Sequence, residues 1–404
     1  MDGEDKAGQR FEVVSTESPT QSDLPTPPNL VGRLLKGYVL ICKIDEGSFG
    51  AVFLGKLLTK EKISLDKNFD HRTIPENDFH KYRVVKAESN FTEGGCGLKM
   101  EVEILKKLHE NFPKTEHFVQ IDDYGRRNLY SYVFMTLLGK SIKELAYDAP
   151  GGQFSIGTWS RIGIQGLLAI KQLHEIGYVH RDLKPANFVL GHPNDSSRSR
   201  FIHLIDFGLA RKFVTVINGV KMHRKARKMI DFRGTEFYCS QSMHFELEQE
   251  RIDDIWSLIF TLMEMHKRLP WSYVKSDEIE AKKKSTKLTE ILNLLPPELG
   301  DPLKKLNGIE RRKRPNYEDI YKGLCDVMIK NKCSFKDPYD WETIVNPKSP
   351  SMEKFSCMFN EFKNDRLAGL VIPDNNEKEL ESARSINRKA PVETDVSVCY
   401  GSNI

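Results

Sequence analysis

A chain of 404 residues has room for one large core or two ordinary ones, and 39% hydrophobic with 29% charged residues is the make-up of an ordinary folded protein. A formal net charge of +4 is small for this length and by itself names no partner, neither nucleic acid nor an anionic membrane. The seven cysteines are scattered, odd in number and without a C-x-x-C pair, which argues against a disulfide framework or a zinc cluster and predicts reduced thiols in the cytoplasm, with the nucleus as a second compartment.

The chain opens Met1, Asp2, Gly3, Glu4, Asp5, Lys6, acidic where a secretory leader is basic. Residues 1–35 are rich in Ser, Thr, Pro and charge, as in Pro25-Thr26-Pro27-Pro28, with too few apolar side chains to offset the entropy of ordering, so a disordered N-terminal tail is predicted. Four β-type runs follow, Tyr38–Ile44, Ala51–Leu54, Tyr82–Ala87 and Tyr130–Met135. Between the first two lies Asp45-Glu46-Gly47-Ser48-Phe49-Gly50, whose missing side chains let backbone N–H groups approach a phosphate, although an ordinary hairpin turn reads the same way. A polar insertion from Lys56 to about His80 parts the second run from the third and is expected to be mobile. In the helix predicted over 98–108, Leu98, Val102, Leu105 and Leu108 share one side; Glu101 projects among them and Glu103 points nearly opposite.

Further helices are predicted over Trp159–Leu173 and Asp254–Met265, the second apolar enough to be buried and central. The longest apolar stretch, Trp256–Met265, falls short of the ~20 residues that span a bilayer, so no membrane passage is expected. From about Asn346 the chain turns polar again, and 346–404 is expected to be a flexible C-terminal tail.

The strongest motif is His180-Arg181-Asp182-Leu183-Lys184-Pro185-Ala186-Asn187, followed in the next apolar run by Asp206-Phe207-Gly208. Each residue alone reads as a surface loop residue; together, in order and at this spacing, they resemble the protein-kinase signature. The resemblance implies an α+β, bilobal kinase fold over 36–345, with a small antiparallel-sheet N-lobe (36–135) carrying one main helix and a larger, mainly helical C-lobe (140–345). It also implies a serine/threonine protein kinase that uses ATP and Mg²⁺. Asp182 would accept the proton of the incoming hydroxyl, Lys184 would lie on the γ-phosphate, and Asn187 and Asp206 would supply metal-ligating oxygens. Lys86 would hold the α- and β-phosphates with Glu101 as its partner, because Glu101 faces the core side. Nucleotide contacts would come from Ile44, Gly47, Ser48, Gly50, Val52, Val84, Met135 at the gatekeeper place, Leu138 at the hinge and Val189. Two departures stand out: Asp45 replaces the first glycine of the loop, and Val84 replaces the alanine over adenine.

Where most protein kinases end the activation segment in Ala-Pro-Glu, this chain has Gly234-Thr235-Glu236-Phe237-Tyr238-Cys239-Ser240. With Arg251-Ile252-Asp253-Asp254-Ile255-Trp256-Ser257-Leu258, Leu269-Pro270-Trp271 and Asp337-Pro338-Tyr339-Asp340-Trp341-Glu342, it resembles the casein kinase 1 group, most closely its tau-tubulin kinase branch. That resemblance implies that Asp254 braces the catalytic loop, that Thr235 hydrogen-bonds near Asp182 and Lys184, and that Arg314, lacking the usual glutamate partner, is exposed. It further implies a monomer acting on acidic Ser/Thr segments of proteins, read by Lys275, Arg224 and Lys225, with Phe237 in place of one anion-binding arginine. A solvated loop is the plain reading of the same basic run. Arg311-Arg312-Lys313-Arg314 has the composition of a nuclear import patch but sits inside the folded part. The rival reading is a pseudokinase that binds ATP or serves as a scaffold, motivated by Asp45, Val84 and Phe237; a small-molecule kinase is a more distant one.

Overall fold

A computed structural model of the chain describes residues 29–47, 50–59, 63, 65–66, 68–91, 97–227, 230–342 and 360–373. The N-terminal half of the fold is one antiparallel sheet in the order β1-β2-β3-β4-β6-β5, built from β1 (Leu34–Leu35), β2 (Tyr38–Glu46), β3 (Gly50–Leu57), β4 (Tyr82–Ser89), β5 (Ile121–Arg126) and β6 (Tyr130–Met135). Helix α1 (Gly97–Asn111) packs on it. Three short ladders follow, pairing β7 (Leu138–Ser141), β9 (Phe188–Gly191) and β10 (Ile202–Leu204); β8 (Tyr178–Val179) with β11 (Arg211–Lys212); and β12 (Val214–Ile217) with β13 (Val220–His223). The remainder is helical: α2 (Ile142–Asp148), α3 (Ile156–Glu175), α4 (Arg251–Glu264), α5 (Ile279–Ser285), α6 (Leu288–Asn293), α7 (Gly300–Gly308) and α8 (Tyr317–Lys330).

Strand periodicity decides what faces the cleft. In β4, Val85 and Ala87 are fully buried in a cluster with Leu40, Phe53 and Phe134, so the alternating Val84 and Lys86 point to the other face. Lys86 pairs across with Val52 on β3 and with Val133 on β6, which places it mid-sheet. On α1 the buried side carries Leu98, Glu101, Ile104, Leu105 and Leu108, whereas Glu103 is exposed and takes Lys107 and the Tyr178 hydroxyl, as helical projection predicts.

The larger half is organised around α3 and α4, buried along their lengths. Ser155 caps α3 by accepting from the Thr158 N–H, and its own N–H and hydroxyl donate to Asp340. Tyr339 beside it takes the guanidinium groups of Arg161 and Arg200 over its ring, 4.3 and 4.7 Å from the ring centre, and stacks on Trp341. The 337–342 motif is therefore a lock on the end of the helical core. Among the described residues no helix is long and apolar enough to cross a membrane.

Three expectations change. Residues 29–35 belong to the fold, with Leu30 and Leu35 buried and β1 paired to β2. Residues 68–81 of the insertion are folded, as two helical turns around the buried Ile74. Residues 360–373, inside the stretch expected to be a flexible tail, dock on the helical half: Phe362 and Leu367 are buried, Phe362 stacks on Tyr321 at 4.4 Å, and Val371 bridges Met222 in parallel. Few apolar side chains suffice because the backbone bonds of 366 and 371 go to Glu175 and Lys221. The rest of residues 1–28 and 374–404 lies outside the described residues.

Two buried histidines give the fold an acid limit. Burial pushes His117 down to about 4 and His203 down to about 3, against an ordinary value of 6.5. Because their folded values lie below the unfolded one, the unfolded chain takes up protons first as pH falls. Stability is complete above about pH 6.5 and declines toward pH 4, by about 2 kcal/mol per histidine at pH 5. The urea midpoint should therefore drop between pH 7 and pH 5, and a His117→Gln substitution should shrink that drop.

Candidate active site

The cleft between the two halves has a volume of about 1570 Å³, larger than a pocket for a small ligand alone. Its inner wall holds Lys86, whose ammonium donates to Glu101 at 2.7 Å and to Asp206 at 3.1 Å. Glu101 is 3% exposed and Lys86 16%, so the pair is shielded, while Asp206 at 44% opens to the cleft. Burial opposes the charge on Lys86, but Glu101 and Asp206 more than restore it, and the ammonium holds its proton more tightly than an ordinary lysine. In return the Lys86 ammonium keeps the Asp206 carboxyl below the usual carboxylate range.

The catalytic loop is fixed from beneath. Asp254, on buried α4, accepts the backbone N–H groups of His180 (2.7 Å) and Arg181 (3.0 Å) and faces the His174 ring at 2.8 Å. Burial would raise the Asp254 carboxyl, but these partners hold it below its ordinary value. Arg181 (φ 72°) and Asp206 (φ 66°) both sit in the left-handed region, at a cost of about 1–3 kcal/mol each, which such bracing sustains. The Asp182 carboxylate is shared: Oδ1 accepts from Thr235 at 2.7 Å and Oδ2 from Lys184 at 2.6 Å. Gly234 makes this contact possible, since at φ 106° an added Cβ would stand 2.4 Å from the Arg181 carbonyl.

A divalent cation fits the donor set. The Asn187 amide nitrogen is committed to the Asp182 carbonyl at 2.9 Å and Lys86 holds Asp206 Oδ1, so that among the described residues the Asn187 oxygen and Asp206 Oδ2 remain to take a cation. Hard oxygens on two neighbouring loops are what Mg²⁺ takes beside phosphates.

Of the residues predicted to contact nucleotide, Ile44, Gly47, Gly50, Val52, Val84, Lys86, Met135, Leu138 and Val189 all line this cleft, as do Glu101, Asp182, Lys184, Asn187, Asp206 and Thr235. Ser48 lies outside the described residues. Lys275, Arg224 and Lys225 do not line it. All three are exposed, Lys275 opening the turn at Ser276–Glu278 and Arg224 following β13 with one donor on the Lys212 carbonyl. Phe237 packs edge-on against Tyr238, and its carbonyl accepts from the Trp271 indole at 2.9 Å.

Arg314 is not simply exposed: it pairs with Glu175 at 3.1 Å and Asp365 at 3.5 Å, finding carboxylates other than the one the family usually offers. Arg311 grips Asp253 at 2.8 Å and the Glu248 carbonyl at 2.7 Å, and Arg312 donates to the Pro373 carbonyl, so the basic run is mostly spent internally. Sequence reasoning missed Lys283, a fully buried ammonium that donates to the carbonyls of Glu236 and Cys239, both at 2.6 Å, and so sets the segment after Thr235. It also missed Glu248, which takes Arg227 through both oxygens at 2.9 Å and Arg211 at 3.3 Å. Charge pattern could have flagged neither, since their partners are carbonyls or lie far along the chain.

The family description "Protein kinase domain" matches residues 38–340. A probable serine/threonine-protein kinase of Dictyostelium discoideum is 34% identical over 319 residues, covering 78% of this chain and 58% of the relative. An inactive tau-tubulin kinase of Caenorhabditis elegans is 34% identical over 250 residues, 60% of this chain and 86% of the relative. A casein kinase I homolog of Kluyveromyces lactis is 30% identical over 310 residues, 74% of this chain and 52% of the relative. The chain thus spans little more than half the length of the Dictyostelium and Kluyveromyces proteins. With the six-stranded sheet, the helical half and the lysine–carboxylate cleft between them, these matches show that the chain belongs to the protein kinase family, in its casein kinase 1 group near the tau-tubulin kinase branch.

Proposed function

We propose that the chain is an active serine/threonine protein kinase that transfers the γ-phosphate of ATP to hydroxyls in acidic protein segments. The observation that carries this reading is the Lys86 ammonium joined to both Glu101 and Asp206 across the cleft from a braced Asp182. That is the arrangement phosphoryl transfer needs before nucleotide arrives, with positioning and charge already in place.

Asp182 orients the substrate hydroxyl and takes its proton as the new P–O bond forms. Thr235 and Lys184 hold the carboxylate in one orientation, and the Lys184 ammonium is then in place to meet charge on the transferring group. Asn187 and Asp206 would hold Mg²⁺, which when bound neutralises the phosphate oxygens. Lys86 fixes the nucleotide from the opposite wall. Phe207 is fully buried between Phe118 and His180, which seats the neighbouring Asp206 toward the cleft.

The pseudokinase reading draws support from the inactive Caenorhabditis relative, but every residue named in these steps is retained here. The Glu248 bridge to Arg211 and Arg227 supports activity without an activating phosphate, because an internal carboxylate already ties the two arginines together. A monomeric enzyme of the cytoplasm, with the nucleus as a second compartment, completes the proposal.

Acidic preference rests on exposed cations, so its expected size is modest. In an oriented peptide library, Asp and Glu should be enriched around the acceptor, and Lys275→Glu should lower kcat/KM on the best acidic peptide about fivefold, in line with ~1 kcal/mol for an exposed pair, while leaving a neutral peptide unchanged. A flat library would remove the acidic preference from the proposal.

A further inference from the structure

The insertion between β3 and β4 spans both halves of the molecule. On the sheet side, Ile74 is 1% exposed and packs with Ile41, Cys42, Leu54 and Tyr82, and the same cluster includes Leu137 of the hinge. Phe69 stacks on Tyr82 at 6.2 Å. On the helical side, the Phe79 ring lies 4.5 Å from the fully buried His192, the His192 Nε2 meets the His71 carbonyl at 3.2 Å, and the Asn194 side chain donates to the Ile74 carbonyl. His192 and Asn194 directly follow β9, which carries Val189 on the cleft wall. One segment is therefore anchored to both halves beside the hinge that joins them.

The same segment reaches the cleft. Asn68, Phe69, Asp70, His71 and Arg72 line it together with the hinge residues Leu137–Ser141. Their conformation is fixed locally: Asp70 caps the turn at His71–Thr73 by accepting from the Arg72 N–H at 3.0 Å and from its Nε at 2.6 Å. Arg72 thus presents a held guanidinium at the hinge end of the cleft, within electrostatic reach of Glu144 and Asp148 on α2.

We propose that residues 68–81 are an interlobe strap that walls the hinge end of the nucleotide cleft and slows nucleotide exchange by restraining the hinge. Release of a nucleotide bound between two lobes requires them to part. Here parting would pull Phe79 off His192 and the carbonyls of His71 and Ile74 off their partners, or drag Ile74 from its core. The inference rests on the kinase reading, since it takes the ligand of the cleft to be a nucleotide.

The pairing of Lys56 with Tyr82 across β3 and β4 makes removal of the strap feasible, because a short turn can join those strands once residues 58–80 are deleted. Stopped-flow release of Mg²⁺·mant-ADP should be at least about tenfold faster from the deletion variant, and about threefold faster from Asn194→Ala, which severs one tether of hydrogen-bond strength and leaves the core intact. The KM for ATP should rise in both while labelling of peptide at saturating ATP persists. If Asn194→Ala binds Mg²⁺·mant-ADP and releases it at the wild-type rate, the strap is overturned whether or not the deletion variant folds. If the intact chain binds no Mg²⁺·mant-ADP, the nucleotide reading of the cleft falls, and the strap's role in exchange falls with it.

Discussion

Asp182→Asn should reduce turnover about 10²–10⁴-fold while leaving nucleotide affinity within about threefold, because it removes a proton acceptor and little else. Asparagine has the same shape and keeps one oxygen, so it retains one of the two contacts now made to Thr235 and Lys184. Its backbone stays braced through Asp254, whose bonds go to His180 and Arg181. The loss should therefore fall on kcat, measured as ³²P transfer from ATP to casein or an acidic peptide, with the Kd for Mg²⁺·mant-ADP as the control. Equal labelling by variant and wild type would show that Asp182 is not the acceptor and would return the pseudokinase reading to first place.

Lys86→Met should be inactive and also less stable by about 3–5 kcal/mol, because it strands the buried Glu101 carboxylate without its cation. The two losses can be separated. In Lys86→Met/Glu101→Leu the buried carboxylate goes together with its cation and only the cleft-facing Asp206 keeps its charge, so chemical denaturation should show most of the stability recovered while phosphate transfer stays absent. Should the double variant regain activity, the ammonium would have no part in holding nucleotide; should it remain as unstable as the single variant, burial of Glu101 would not be the cause.

What could be read in the sequence was whatever repeats locally. Helical spacing separates Glu101 from Glu103 because burial of α1 follows a 3.6-residue period, and strand alternation puts Lys86 opposite Val85 for the same kind of reason. The catalytic loop and Asp206 could be found because His180–Asn187 and Asp206-Phe207-Gly208 resemble the protein-kinase signature. Pairings with no local period were out of reach. Lys283 serves carbonyls over forty residues away, Arg314 serves Glu175, and Asn194 serves Ile74; nothing near any of them in the chain announces the partner. Composition misled in three places where polar stretches hide a few anchoring side chains, Leu30 and Leu35 at the end of the N-terminal stretch, Ile74 and Phe79 in the insertion, and Phe362 and Leu367 beyond residue 346. Averages over such stretches resemble loops, although one or two buried rings or branched chains with satisfied backbone bonds are enough to order them.

The docked 360–373 segment separates two boundaries that are easily equated. The family match ends at 340, yet Phe362 lies flat on the Tyr321 ring, Arg366 covers Phe112 at 4.2 Å, and Val371 continues the edge of the β12–β13 hairpin. A protein trimmed where the family match stops would bare an aromatic face on α8 and leave Glu175 without the Arg366 amide, so the packed structure outruns the family match by some thirty residues.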